Sequence, residues 1–236
     1  MLSKLIERIY LVVKNESLVI DPVITDSDLI GLLVDQLMGR IRGIYFGGFA
    51  YACKFAFVGP RVKLRCRRNI FLGRNVVLNE GVHIDGLGHD GVHLGNSCSI
   101  GAFSRLIVGR NYRLLGKGIV IANNVGIGEF AYIGGAGGVS IGNGCVVGQY
   151  FSIHPENHIF EDLSSEIRFQ GTSRQGVVIG NNCWVGSKVT VLDGTTIGNG
   201  CVIAAGAVVR GDFGDNVVIG GIPAKVLKHR SKHPGL

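Results

Sequence analysis

Proline and charge are both scarce in this 236-residue chain, with five prolines and 17% charged residues. So little proline excludes collagen and a proline-rich spacer. So little charge, beside 46% apolar residues, excludes a disordered segment. The six cysteines form no CxxC pair and no framework spacing, so neither structural zinc nor a disulfide scaffold is indicated, and no metal is expected. Long apolar runs are missing too. The longest, from Gly43 to Gly59, is interrupted by Lys54 and by glycine and is too short for a membrane-spanning helix. The opening MLSKLIERIY lacks the n-region, h-region and small-residue cleavage site of a signal peptide. Together with reduced thiols, this points to the cytoplasm.

Glycine is what the chain has in excess, 38 residues in all, or about 16% against a usual ~7%. Without proline beside it, so much glycine predicts many tight turns at positive φ. A repeat accounts for it. From Ile121 the period is six: Ile121, Ile127 and Ile133, then after a two-residue slip Ile141, Val147 and Ile153. After a longer break it resumes at Ile179, Val185, Val191, Ile197, Ile203 and Val209. Glycine follows the aliphatic at Gly128, Gly134, Gly142, Gly148, Gly180, Gly186 and Gly198, and Leu72, Leu94 and Ile100 echo the pattern upstream.

Six is neither the helical period nor simple alternation. It fits a short strand and a turn, repeated, with the aliphatic inward and a small residue at the turn. Each coil then pairs with the next at ~4.8 Å, giving a solenoid. Cys98, Cys145, Cys183 and Cys201 each lie four residues after an aliphatic, in a slot suited to a small buried residue. The predicted class is mainly β, a parallel β-helix of hexapeptide repeats.

The first stretch reads differently. Leu2, Leu5, Ile6, Ile9 and Val13 suggest a short helix. Leu29, Leu33, Leu37, Ile41 and Ile44 suggest a second, after a capping box from Thr25 to Asp28. The expected organisation is a helical N-terminal cap over 1–57, a β-helix over 58–221 with an inserted loop at 154–178, and a basic C-terminal tail over 222–236. The net charge of +7 gathers in Arg61, Lys63, Arg65, Arg67, Arg68 and Arg74, and in Lys225, Lys228, Arg230 and Lys232. Such fields favour anionic partners. The arginines are not interleaved with stacking aromatics, which argues against nucleic acid.

The best-ordered half of the repeat breaks between Ile153 and Ile179, at His154-Pro155-Glu156-Asn157-His158. An insertion on a rigid scaffold is where function is usually placed. His154 fills the slot that elsewhere holds a small residue, so its imidazole should be forced outward at the coil edge. There it can take a proton from a hydroxyl. His158 is the competing base, and Glu156 the acid that could orient an imidazole.

With these residues in view, the chain resembles the hexapeptide-repeat acyltransferases over about residues 70–228. The His154-Pro155 pair and the return Ile179-Gly180-Asn181-Asn182-Cys183-Trp184-Val185-Gly186-Ser187 are similar to the maltose/galactoside-type branch. The stretch Gly134 to Phe160, with GGAGG and GQYFSIHPENHIF, is similar to surface-polysaccharide O-acetyltransferases. Where that first branch places an acceptor asparagine, this chain has Glu129 nearby.

The resemblance implies a left-handed β-helix with triangular coils, a homotrimer, and His154 as general base. It implies acetyl-CoA as cosubstrate, read at Ser187 and Ala205, then at Arg210 and Gly211, with Trp184 lining the groove or a subunit contact. Gly220-Gly221-Ile222-Pro223-Ala224-Lys225 matches the family's closing signature, and Lys225 and Lys228 would neutralise CoA phosphates. The implied activity is O-acetylation of a sugar hydroxyl in capsule, exopolysaccharide or O-antigen biosynthesis.

Three other readings compete. They are N-acetylation of an amino-sugar nucleotide, a non-catalytic scaffold, and a γ-carbonic-anhydrase-like zinc enzyme, which would need three histidines from neighbouring coils, whereas His83, His89 and His93 lie in an irregular insertion with no such spacing to His154. The alternation of Arg61, Lys63, Arg65 and Arg67 with Val62, Leu64 and Cys66 predicts a strand with four outward charges. Beside Arg40 and Arg42, these charges could hold an anionic acceptor, such as a lipid-linked pyrophosphoryl sugar, at the inner face of a membrane.

Overall fold

The computed structural model describes residues 2–14, 17, 19–47, 55–109 and 111–231. Three parallel sheets run its length, here called faces A, B and C. Face B stacks Lys63–Arg65, His83–Asp85, Arg105–Ile107, Tyr132–Gly134, Ser152–His154, Thr190–Leu192 and Val208–Val209. Each coil passes through A, B and C in turn, and each strand pairs in register with the same strand one coil on. The twelve aliphatics of the six-residue period are all buried, at most 4% exposed. They are the core.

The core positions show where the period holds and where it fails. From face A to face B the step is always six, as from Leu78 to Ile84, Val147 to Ile153 and Val185 to Val191. From C to A it is six again, as from Leu94 to Ile100 and Ile179 to Val185. From B to C it varies, lengthening from Ile84 to Leu94, Leu106 to Ile121, Ile133 to Ile141 and above all Ile153 to Ile179. The two-residue slip and the long break of the sequence are therefore the same kind of event at the same B–C edge.

The repeat glycines act differently from the expectation of positive φ. Gly142 and Gly186 are not left-handed; instead a Cβ there would stand 2.6 Å from the Gly180 backbone and 2.5 Å from the Ala205 backbone. They are glycine because coils stack backbone on backbone. The left-handed turns fall elsewhere, often on Asn75, Asn124, Asn182 and Asn216, or on Phe103, Phe130 and Tyr150.

Cys98, Cys145, Cys183 and Cys201 are buried as expected. Each thiol donates to a carbonyl of the next coil, for example Cys98 to Ala122 at 2.9 Å and Cys201 to Gly214 at 3.1 Å. Burial pushes the Cys98 thiol pKa up. Their slot is not confined to small residues, since fully buried Phe151 occupies it one coil after Ala131, whose small side chain leaves it room. Asparagines two residues before this slot, which Val125 fills in one coil, form a second ladder, each accepting the backbone N–H of the asparagine one coil earlier: Asn96 N to Asn123, Asn123 N to Asn143, Asn143 N to Asn181.

Helices α1 (Leu2–Lys14) and α2 (Asp26–Gly47) precede the coils. Thr25 and Asp28 form the expected reciprocal cap, with Asp28 N donating to Thr25 Oγ1 at 3.2 Å and Thr25 N to Asp28 Oδ2 at 3.0 Å. Among the residues expected to line α1, the side chains of Ile9 and Val13 lie outside the described set. α2 lies on the first strand of face A, Phe57–Val58, where Arg42 Nε donates to Val58 O at 2.7 Å and covers part of an open sheet edge.

Of the predicted stripe of α2 only Leu29 is buried. Leu33, Leu37, Ile41 and Ile44 are exposed, while Gly39 and Gly43 face Phe57 and Ala56. Glycine lets the backbones meet closely, and the bulky stripe is left outside. At the other end, Ala224–His229 folds back antiparallel on Val217–Gly221, so the segment expected as a tail from residue 222 is a strand as far as His229. Lys232 lies outside the described residues.

Candidate active site

His154 ends its face B strand with its imidazole exposed. In register its neighbours are Gly134 one coil before and Leu192 one coil after. Gly134 lines the same cavity as the ring, and a Cβ there would stand 3.1 Å from Pro155 Cδ. The Tyr132 ring stacks beside the imidazole, centroids 5.5 Å apart. The result is a cavity of about 260 Å³, lined by Ile107, Asn111, Tyr132, Gly135, His154 and Glu156 among others. That is just under the ~300–1,000 Å³ of drug-sized pockets and suits a single sugar ring.

The insertion that begins at Pro155 is pinned from three directions. Asp193, 3% exposed, accepts from Gln175 N at 2.9 Å and Gly176 N at 2.8 Å where the insertion returns. The GGAGG run is a seat for it, since a Cβ on Gly137 would lie 2.3 Å from Pro155 O. Arg174 donates from Nε to Glu156 Oε2 at 2.6 Å and from Nη1 to Leu115 O at 3.0 Å, tying this insertion to the smaller one before it.

Sequence reasoning missed Arg174 and Asp193. Arg174 sits within a polar segment with no pattern of its own. Asp193 stands in an Asp-Gly turn, where a turn role already explains it.

The expected residues are thus sorted. His154 and Glu156 line the cavity. Glu156 is engaged by Arg174, an arrangement different from an acid orienting His154. His158 is exposed farther out, in the two-residue strand Asn157–His158 paired with Thr172–Ser173, and is not among the lining residues.

The expected cofactor residues stand on other edges. Trp184 is 60% exposed on face A, which removes core packing as its role. Ser187 and Ala205 lie at the A–B corner, with Ser187 Oγ donating to Gln149 at 3.0 Å. Arg210 and Gly211 follow Leu192 at the B–C corner, on the same edge as His154. Lys225 and Lys228 are exposed on the antiparallel strand of face A.

The irregular insertion expected around His83, His89 and His93 is narrower than that: His83 is in a regular strand of face B and His93 pairs in register on face C, while His89 falls at the register shift between Gly88 and Gly91. Among the described residues no three His, Cys, Asp or Glu groups converge on a metal site. The predicted run of four outward charges is shortened as well. Lys63 and Arg65 project from the strand Lys63–Arg65, but Arg61 is at a left-handed corner paired with Glu80, and Arg67 has turned into a 3₁₀ segment. Arg40 and Arg42 are half-buried, and Arg42 is spent on Val58.

A triangular parallel β-helix built on six-residue steps defines a narrow class of proteins. Residues 176–211 match the family described as bacterial transferase hexapeptide (six repeats). A hexapeptide-repeat acetyltransferase from Vibrio cholerae, solved with acetyl coenzyme A, superposes with a TM-score of 0.51 at 23% identity, over 59% of this chain and 72% of that one. The fold is the left-handed β-helix, and residues 176–211 carry the hexapeptide repeat of that family.

Among named relatives, Escherichia coli WbbJ, provisionally named a lipopolysaccharide biosynthesis O-acetyl transferase, is 34% identical over 131 residues, 51% of this chain and 66% of that protein. The galactoside O-acetyltransferase of Escherichia coli is 39% identical over 84 residues, 34% of this chain and 38% of that protein. The matches therefore span less than two thirds of these relatives' own lengths.

Proposed function

We propose that the protein is an acetyl-CoA-dependent O-acetyltransferase of a sugar hydroxyl, serving the synthesis of a surface polysaccharide. One observation carries this reading: an exposed histidine at the edge of a rigid coil, opposite a glycine, in a cavity the size of one sugar. The likeness to WbbJ and to the galactoside enzyme supports the acyl group and the class of acceptor.

In this reading His154 accepts the acceptor's hydroxyl proton as that oxygen attacks the acetyl carbonyl of the thioester. The C–S bond breaks, and the departing CoA thiolate takes the proton from the imidazolium. Tyr132 holds the imidazole plane and Arg174 keeps Glu156 beside the sugar. Lys225 and Lys228 meet the CoA phosphates, while Ser187, Ala205, Arg210 and Gly211 border its arm.

Ser187 and Ala205 are on a different corner from His154 and Arg210, so a cofactor groove touching both sets is built between copies. A ring of three, each presenting its A–B corner to its neighbour's B–C corner, closes such a heterologous contact. Peripheral contact with the inner face of a membrane belongs to the same reading, through the exposed apolar side of α2.

The test is CoA release against a panel of sugars, oligosaccharides and amino-sugar nucleotides. His154→Ala should lower turnover about 10²–10⁴-fold with acetyl-CoA affinity nearly unchanged. A mild His154→Ala beside a crippled His158→Ala would reassign the base. Transfer to amino-sugar nucleotides alone would select N-acetylation.

A further inference from the structure

Face B changes character along its length. After His154 its outward strand residues are Thr190, Leu192 and Val208, none of them charged, and Arg210 stands one residue past the last strand. Before His154 the two outward columns read Lys63, His83, Arg105, Tyr132, Ser152 and Arg65, Asp85, Ile107, Gly134, His154, each residue in register with the next. Lys63 and Arg105 therefore stand on either side of His83 in one column, with a third cation, Arg65, in the adjoining column.

Nothing within the chain neutralises these cations fully. Arg65 approaches Asp85 at 3.7 Å, but among the described residues Lys63 and Arg105 have no acidic partner. His83 lies between them with its Nε2 buried and lacking a hydrogen-bond partner. Burial and the adjacent Arg105 push the His83 pKa down, with Asp85 opposing.

This basic stretch is continuous with the His154 cavity. A hollow lined by Arg65, His83, Asp85, Arg105, Ile107, Gly109 and Tyr112 shares Ile107 and Gly109 with it. At ~4.8 Å per coil, Arg105 is two coils, about 10 Å, from the level of His154, and His83 about 14 Å. A diphosphate on the anomeric oxygen of a sugar in the cavity, one hydroxyl at His154, extends toward those levels and comes within reach of the long side chains that stand there.

We infer that the acceptor is a glycosyl diphosphate, its sugar between His154 and Tyr132 and its diphosphate on Arg105, His83, Lys63 and Arg65. The inference rests on the acetyltransferase reading and adds the acceptor's class. A nucleotide or a polyprenol could supply the diphosphate; the exposed apolar side of α2, on the first coil, suits the second.

The experiment is calorimetric titration of the full chain with inorganic pyrophosphate, with and without acetyl-CoA. Pyrophosphate should bind the wild type. Lys63→Gln with Arg105→Gln should weaken it about 10–100-fold, since charge-assisted hydrogen bonds are lost, while acetyl-CoA affinity holds. Neither residue has a partner to orphan, and Arg105→Lys should restore part of the binding, which a folding defect would not allow.

Two further arms compare uridine diphosphate in solution with farnesyl diphosphate in phosphatidylcholine vesicles. The tighter of the two names the source, and the double variant should weaken both. The inference is overturned if pyrophosphate does not bind, if the double variant binds it equally, or if acetyl-CoA displaces it. Failure of acetyl-CoA itself to bind would instead overturn the enzymatic reading.

Discussion

His154 and Gly134 line one cavity from neighbouring coils. The imidazole stands out because strand alternation turns it away from the core that Ile153 fills, and Tyr132 stacks beside it. Gly137 matters for another reason. It lies against Pro155 O, so Gly137→Ala forces a 2.3 Å contact that must be relieved by moving the residue next to His154. The expected cost is about 1–3 kcal/mol, visible as a lower Tm, with kcat falling more than KM rises. An Ala variant with unchanged kcat would show that the Pro155 seat does not position the histidine.

At the scale of elements, the insertion after His154 has few apolar anchors, and Leu163, Ile167 and Phe169 are largely exposed. Its order depends on polar ties at its ends. Asp193→Ala removes the acceptor of two backbone N–H groups, a loss of about 1–3 kcal/mol for each group left unpaired. Because solenoid stability is a sum of neighbouring coils, that loss should appear as local opening before global unfolding. Limited proteolysis should cut the variant within residues 159–171 much faster than the wild type. Equal cutting rates would mean that Arg174 and the short antiparallel pair suffice to hold the loop.

For the whole molecule, the separation of Ser187 and Ala205 from His154 sets the prediction. His154→Ala and Ala205→Trp subunits, each inactive alone, should regain activity when refolded together. Random mixing in a three-fold ring leaves about a quarter of the sites with both corners intact. No recovery, or full activity from a sedimenting monomer, would place the groove within one chain. The concentration of insertions on one edge fits the same geometry, since a ring contact needs one smooth corner and can surround one irregular one.

Most of the fold and part of the site were legible in the amino-acid order. Core positions of a solenoid recur locally, so Ile121 to Val209 declared the coil, the four cysteines its inner register, Thr25 and Asp28 a helix start, and His154 the outward break. Pairing between coils is set by that same six-residue step, because parallel register follows automatically once the aliphatics stack. The remainder depended on contacts between residues far apart in the chain. Which side of α2 packs was decided by glycines meeting the first strand. Glu156 was claimed by Arg174, eighteen residues away, and the alternating arginines after residue 60 were divided between a strand and two corners. The basic column of Lys63, His83 and Arg105 has no sequence signature at all, since its members come from three coils. Only the stacking of those coils at the strand spacing brings their charges together.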